Sequence, residues 1–388
     1  MRRKIYQELL QWKQRNGESA LLVQGARRVG KSYIVEAFAK AEYKSYILID
    51  FNLVDQPVKE MFEHDLVDLK TFFMKLTTYY GVKLYERESL IIFDEVQLFP
   101  RARSAIKYLV ADGRYDYIET GSLISIRENV KDILIPSEED HVDMYPLDFE
   151  EFLWANGNDT MMDFIRDCYR KKAPLGQALH RKAMDLFRQY LIVGGMPQAV
   201  NAFVKHSDFD EVDRVKRRIL NLYRDDIRKH AKGYEMKVEA IYDEIPSQMK
   251  NQNQHFKLSS LKQGARFDEY KDAMFWLSDA MIVNHCYNAT EPTFGLNLNR
   301  DRTLLKCYMG DTGLLISHAF DENGIVTGEV YKKLLLDKLE VNMGMVMENM
   351  VAQMLTASGH KLYFYSNSSR SDASSRMPLS YTTPYCVT

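Results

Sequence analysis

Apolar runs at Ala20–Val23, Tyr46–Ile49 and Leu90–Phe93, and the mixed run Tyr115–Thr120, each read as a strand, the first three buried on both faces. Between them apolar positions recur at helical spacing. Ile5, Leu9, Leu10 and Trp12 mark an amphipathic helix over 3–15, and Ile34, Val35, Phe38 and Ala39 mark another beyond the first strand. Residues 56–80 read as a third. Strands alternating with helices predict an α/β fold, a parallel sheet flanked by helices. From about 150 to 235 the pattern is helical with few breakers. From Ile241 to Tyr287 it reads helix, turn, helix, strand, with Gly264 ending a short helix and Phe267–Met281 forming a longer one.

The junction between the first strand and its helix carries Gly25-Ala26-Arg27-Arg28-Val29-Gly30-Lys31-Ser32, which fits the P-loop pattern G-x4-G-K-[ST]. Its glycines permit a tight turn with backbone N–H groups close to an anion, and the helix N-terminus adds a favourable dipole. All eight residues are expected to hold a nucleotide, ATP, with Lys31 at the β/γ-phosphates and the Ser32 hydroxyl on Mg²⁺. Taken alone, the segment is a glycine turn; the flanking strand and helix favour the phosphate cradle. The run Leu90-Ile91-Ile92-Phe93 ends in Asp94-Glu95, a Walker B pattern. Asp94 is expected to support Mg²⁺ and Glu95 to polarise the attacking water. Solvated acids at a strand tip would look the same; the P-loop upstream decides between them. At Thr120-Gly121-Ser122 a strand ends in hydroxyls. Thr120 is the expected γ-phosphate sensor, with Ser122 the second choice and a plain turn the alternative.

Composition adds limits. The 388 residues leave room for several domains, and 46% hydrophobic with 27% charged is ordinary for a globular chain. A net charge of −2 gives no global basic field, so any DNA contact needs a local patch. Arg214, Lys216, Arg217, Arg218, Arg224, Arg228, Lys229 and Lys232 form one basic stretch, read as a solvated helix face or, alternatively, a phosphate-contacting surface. The cysteines Cys168, Cys286, Cys307 and Cys386 show no metal or disulfide spacing, which suits a cytoplasmic location. No apolar run is long enough for a membrane span.

The order of P-loop, Ile92-Phe93-Asp94-Glu95-Val96-Gln97 and Thr120-Gly121-Ser122 resembles a bacterial and archaeal group of AAA-type ATPases. Further landmarks strengthen the resemblance: Pro146-Leu147-Asp148-Phe149-Glu150-Glu151-Phe152, Gly194-Gly195-Met196-Pro197, Asp311-Thr312-Gly313-Leu314 and Gly344-Met345-Val346-Met347-Glu348-Asn349. Read physically, the Gly-Gly and Asp-Thr-Gly segments are turns with no chemical role. The resemblance implies an AAA-type P-loop core over 1–148, a helical lid over 149–235, a winged-helix-like unit over 236–290 and a nuclease-like α/β domain over 291–366. The nuclease-like fold needs an Asp and a Glu-x-Lys after the helix bearing Glu348. No Glu-x-Lys follows, and the only later carboxylate is Asp372, so that domain is expected to be incomplete and without nuclease activity, Glu348 to be a surface or capping carboxylate, and 367–388 to be a disordered, aberrant tail. In the winged-helix-like unit the exposed side of the second helix offers Arg266, Asp268, Glu269, Lys271 and Asp272, and its acids argue against base reading.

The expectation is therefore a Mg-dependent ATPase acting as a nucleotide-driven switch or remodeller, oligomeric where an arginine is supplied in trans. Arg101, Arg103 and Arg114 are the candidates for that arginine. The alternative is a nucleotide-gated regulator that binds DNA or protein and hydrolyses little.

Overall fold

The computed structural model describes residues 1–121, 137–250, 255–291, 293, 295–320 and 343–365. Ser122 and the tail 367–388 lie outside the described residues. The chain divides into two compact units, Met1–Tyr145 and Pro146–Thr388.

The first unit is built on β1 (Ala20–Gly25), β2 (Ser45–Asp50), β3 (Ser89–Asp94), β4 (Asp116–Gly121) and β5 (Glu139–Met144), all parallel, in the order β2-β3-β4-β1-β5. Alternate residues of each strand serve opposite faces. On one face Leu21, Val23, Ile92 and Ile118 pack with α1 (Ile5–Lys13) and α2 (Lys31–Glu42) through Leu9, Trp12, Ile34 and Phe38. On the other, Ile47, Ile49, Ile91, Phe93 and Tyr117 meet Phe62, Phe72, Leu76, Ile106 and Leu109. The helices there are α3 (Gln56–Glu60), α4 (Leu69–Tyr80) and α5 (Pro100–Asp112). Each such Phe or Leu, fully buried, contributes about 1.5–3 kcal/mol. The single helix expected over 56–80 is broken. After α3 the chain forms a π turn, Met61–Asp65, and Asp68 caps α4 by accepting from the N–H groups of Lys70 and Thr71. The short aspartate makes a new start there in preference to a continuous helix.

The second unit is helical over Phe149–Ala155, Met161–Lys171, Gln177–Val193, Pro197–His206, Phe209–His230 and Glu235–Lys250. A 3-10 turn at Leu258–Ser260 and the helix Phe267–Asp279 follow, then the antiparallel pair β6 (Val283–Ala289) and β7 (Arg300–Met309). β8 (Leu362–Phe364), reached after the helices Thr312–Ala319 and Met343–Ala357, joins β6 in parallel.

Asp311-Thr312-Gly313 is not a simple turn. Asp311 is the N-cap of the helix Thr312–Ala319, its Oδ1 accepting from Leu314 N over 2.8 Å. Its Oδ2 accepts from Gly195 N over 2.6 Å. The landmark segments of this unit thus meet in one buried polar knot. Gly195 O accepts from Leu147 N, Tyr190 OH donates to Leu147 O, and Gln353 Oε1 accepts from both the N–H and the hydroxyl of Thr312. Asn349 Nδ2 donates to Met309 O and Thr312 Oγ1. A Cβ on Gly313 would strike the Val193 carbonyl and the Gly194 backbone, so only glycine permits this approach.

Lys216 corrects the reading of the basic stretch. It is fully buried in this knot, donating to Ile192 O over 2.7 Å and Gly313 O over 3.2 Å, so it belongs to neither a solvated face nor a phosphate surface. Its position on the helix Phe209–His230 falls on the apolar side, beside Val212, Ile219 and Leu220. Arg217, Arg224 and Arg228 pair with Asp213, Asp243 and Glu239. Glu348 is not a cap: Oε1 accepts from Lys306 Nζ over 2.8 Å and from Tyr308 OH over 2.6 Å.

Candidate functional site

The candidate site lies at the carboxyl ends of β1, β3 and β4, where open parallel sheets place their ligands. β1 ends at Gly25 and the chain loops through 26–30 before α2 starts at Lys31. Arg28 (φ 69°) and Gly30 (φ 102°) both take left-handed backbone, which turns the loop sharply enough for α2 to begin within it. Ala26 and Val29 are buried and hold the loop down, while Arg27 and Arg28 are exposed. Lys31 Nζ donates to the Gly25 and Ala26 carbonyls over 2.9 and 3.2 Å.

Strand order brings the other residues in. β4 lies between β1 and β3, with Thr120 beside Val23 of β1 and Glu119 beside Phe93 of β3. Asp94, the last residue of β3, receives two hydroxyls on Oδ1: Ser32 Oγ over 2.8 Å and Thr120 Oγ1. Ser32 from the first turn of α2 and Thr120 from β4 thus converge on one oxygen of Asp94. Beyond Asp94 the chain turns left-handed at Glu95 (φ 54°, ψ 44°), enters the 3-10 turn Val96–Leu98 and begins α5 with Pro100 at its first position. Thr120 Oγ1 also accepts from Glu95 N over 3.3 Å.

Of the arginines offered for trans action, Arg103 is ruled out as a surface donor. It is buried on α5, with NH2 donating to Glu139 Oε1 over 2.9 Å and Nε 3.8 Å from Glu119 Oε2. Burial, with Glu139 alongside, pushes the Glu119 carboxyl well above the ordinary carboxylate range. Arg114 binds both oxygens of Asp112 and covers the Phe73 ring; Arg101 is exposed.

Two contacts were not foreseen. Gln97, buried, donates to Glu95 Oε2, and the only sequence signal is its spacing two residues beyond the acid. Arg3, also buried, donates to Val29 O of the loop over 3.2 Å and to Tyr145 O over 2.6 Å. Nothing in a lone N-terminal arginine marks it for that.

Sheet, loop and acidic strand tip define the first unit as a P-loop NTPase α/β domain of the AAA ATPase class, and this fold implies nucleotide binding. Residues 17–153 match the family described as AAA domain, and residues 184–323 match a domain of unknown function, DUF8612. No curated protein matches. Among solved structures the chain is similar to a Walker-type ATPase of Pyrococcus abyssi (14% identity, 82% of this chain and 95% of that one, TM-score 0.47). It is also similar to the ORC1 protein of Aeropyrum pernix in complex with DNA (9%, 84% and 94%, TM-score 0.31). A third is the RuvB Holliday junction branch migration motor of Thermotoga maritima (13%, 75% and 90%, TM-score 0.31). Among the described residues no helix is long and apolar enough to cross a membrane.

Proposed function

We propose that the first unit binds ATP with Mg²⁺ and hydrolyses it, and that turnover makes the chain a switch or remodeller. The observation that carries this reading is the meeting of Ser32 Oγ and Asp94 Oδ1 at 2.8 Å, at the N-terminus of the loop helix. A hydroxyl and a carboxylate are hard oxygen donors, and Mg²⁺ is commonly held by one carboxylate together with phosphates and water. Bound there, the ion would neutralise charge on the phosphates. The loop N–H groups and Lys31 bind the phosphates, Ser32 and Asp94 hold the ion, and Glu95 accepts the proton of the attacking water. Thr120 bonds both Asp94 Oδ1 and the Glu95 N–H, which supports an orienting role for it beside that of γ-phosphate sensor.

Steady-state ATP turnover with a fluorescent-nucleotide binding assay tests the proposal. Lys31→Ala loses nucleotide binding, whereas Glu95→Gln binds normally and turns over about 10²–10⁴-fold more slowly. Equal turnover by Glu95→Gln and the native chain removes Glu95 from the chemistry.

A further inference from the structure

We propose that Gln97 is a positioning residue that orients the Glu95 carboxylate for its attack on water's proton. The inference rests on the reading of Glu95 as general base and adds the residue that aims it. Gln97 is 6% exposed, and its Nε2 donates to Glu95 Oε2 over 2.5 Å. An amide N–H donated to a carboxylate oxygen is a charge-assisted hydrogen bond, and the burial of Gln97 limits competition from water.

The main chain of Glu95 is already fixed at both ends. Its N–H donates to Thr120 Oγ1, and its C=O accepts from Leu98 N over 3.0 Å to close the 3-10 turn. The left-handed backbone at a non-glycine residue costs about 1–2 kcal/mol and persists only where surroundings enforce it. A fixed backbone still leaves a glutamate side chain free to rotate. The Gln97 amide removes that freedom by holding Oε2, so that Oε1, outside this bond, is the oxygen presented to the water. An amide neither gives up nor takes a proton near neutral pH, so Gln97 orients the base without competing with it.

The test is steady-state ATP turnover by the full chain carrying Gln97→Leu, with Gln97→Met as the second apolar variant should Leu not fold. Nucleotide binding of each variant establishes that the loop is intact. The expected result is a fall in kcat of about 10- to 100-fold with KM for ATP within about twofold. In a Glu95→Gln background, Gln97→Leu adds no further loss, since there is no base left to aim. Native or raised kcat in both apolar variants, or a full additional loss in the Glu95→Gln background, overturns the positioning role. If Glu95→Gln itself turns over normally, the base assignment fails first; if it is inactive while Gln97→Leu is normal, only the inference about Gln97 fails.

Discussion

Gly194 and Gly176 stand at opposite ends of the helix Gln177–Val193 and have nearly the same backbone: φ 77°, ψ −170° and φ 79°, ψ 152°. Only glycine takes this region readily, so alanine at either position incurs strain of about 1–3 kcal/mol. Their surroundings differ. A Cβ at Gly176 has no heavy atom within 4 Å, whereas a Cβ at Gly194 would collide with Asp311 Oδ1 and lie 2.9 Å from its Cγ. Asp311 has to move, and its Oδ2 loses the 2.6 Å bond from Gly195 N. A hydrogen bond to a buried charged group is worth about 1.5–3 kcal/mol. Gly194→Ala is therefore expected to destabilise the second unit by about 2.5–6 kcal/mol, a large part of the roughly 5–15 kcal/mol that holds a domain together. Gly176→Ala reports the strain alone. Urea unfolding followed by tryptophan fluorescence in a Trp12→Phe background isolates the second unit, whose reporters are Trp154 and Trp276. Equal losses from the two substitutions would refute the argument, because the collision with Asp311 would then carry no weight.

Two further predictions concern buried charge. Burial pushes the Lys216 ammonium down to about 8, against 10.5 for the unperturbed group. Between those pH values the unfolded chain holds a proton that the folded chain does not, so the unfolding free energy rises with pH, by up to about 3 kcal/mol. Lys216→Met abolishes that rise, measured as the difference in urea midpoint between the variant and the native chain at pH 7.5 and 10; matching pH slopes would refute it. Arg103→Met leaves the buried Glu139 without its arginine partner and is expected to cost about 3–5 kcal/mol at pH 7. Trp12 fluorescence in thermal melts follows the loss. A melting temperature equal to that of the native chain would count against the charge argument.

The ATPase core was legible because its signals are local. The P-loop places chemistry and turn in adjacent residues, and the apolar run before Asp94 sets the end of β3 at the residue expected. The break before α4 was missed because helical periodicity persists through 56–80 and only the capping by Asp68, a single short side chain, opposes it. Lys216 was misread for a related reason: a charged residue in a basic stretch looks solvated until the carbonyls of Ile192 and Gly313, remote in sequence, supply its acceptors. The Gly-Gly and Asp-Thr-Gly segments were visible as landmarks but not as partners, since their meeting is a tertiary event. Arg103 could not be sorted from Arg101 by composition; one lies on the inner side of α5 and the other does not.

Arg3 has a mechanical consequence. One guanidinium holds the Val29 carbonyl, inside the phosphate loop, and the Tyr145 carbonyl, at the last residue of the first unit. Any rearrangement that carries the Val29 carbonyl away must either sever a buried cationic tether or drag the strand's exit point along with it.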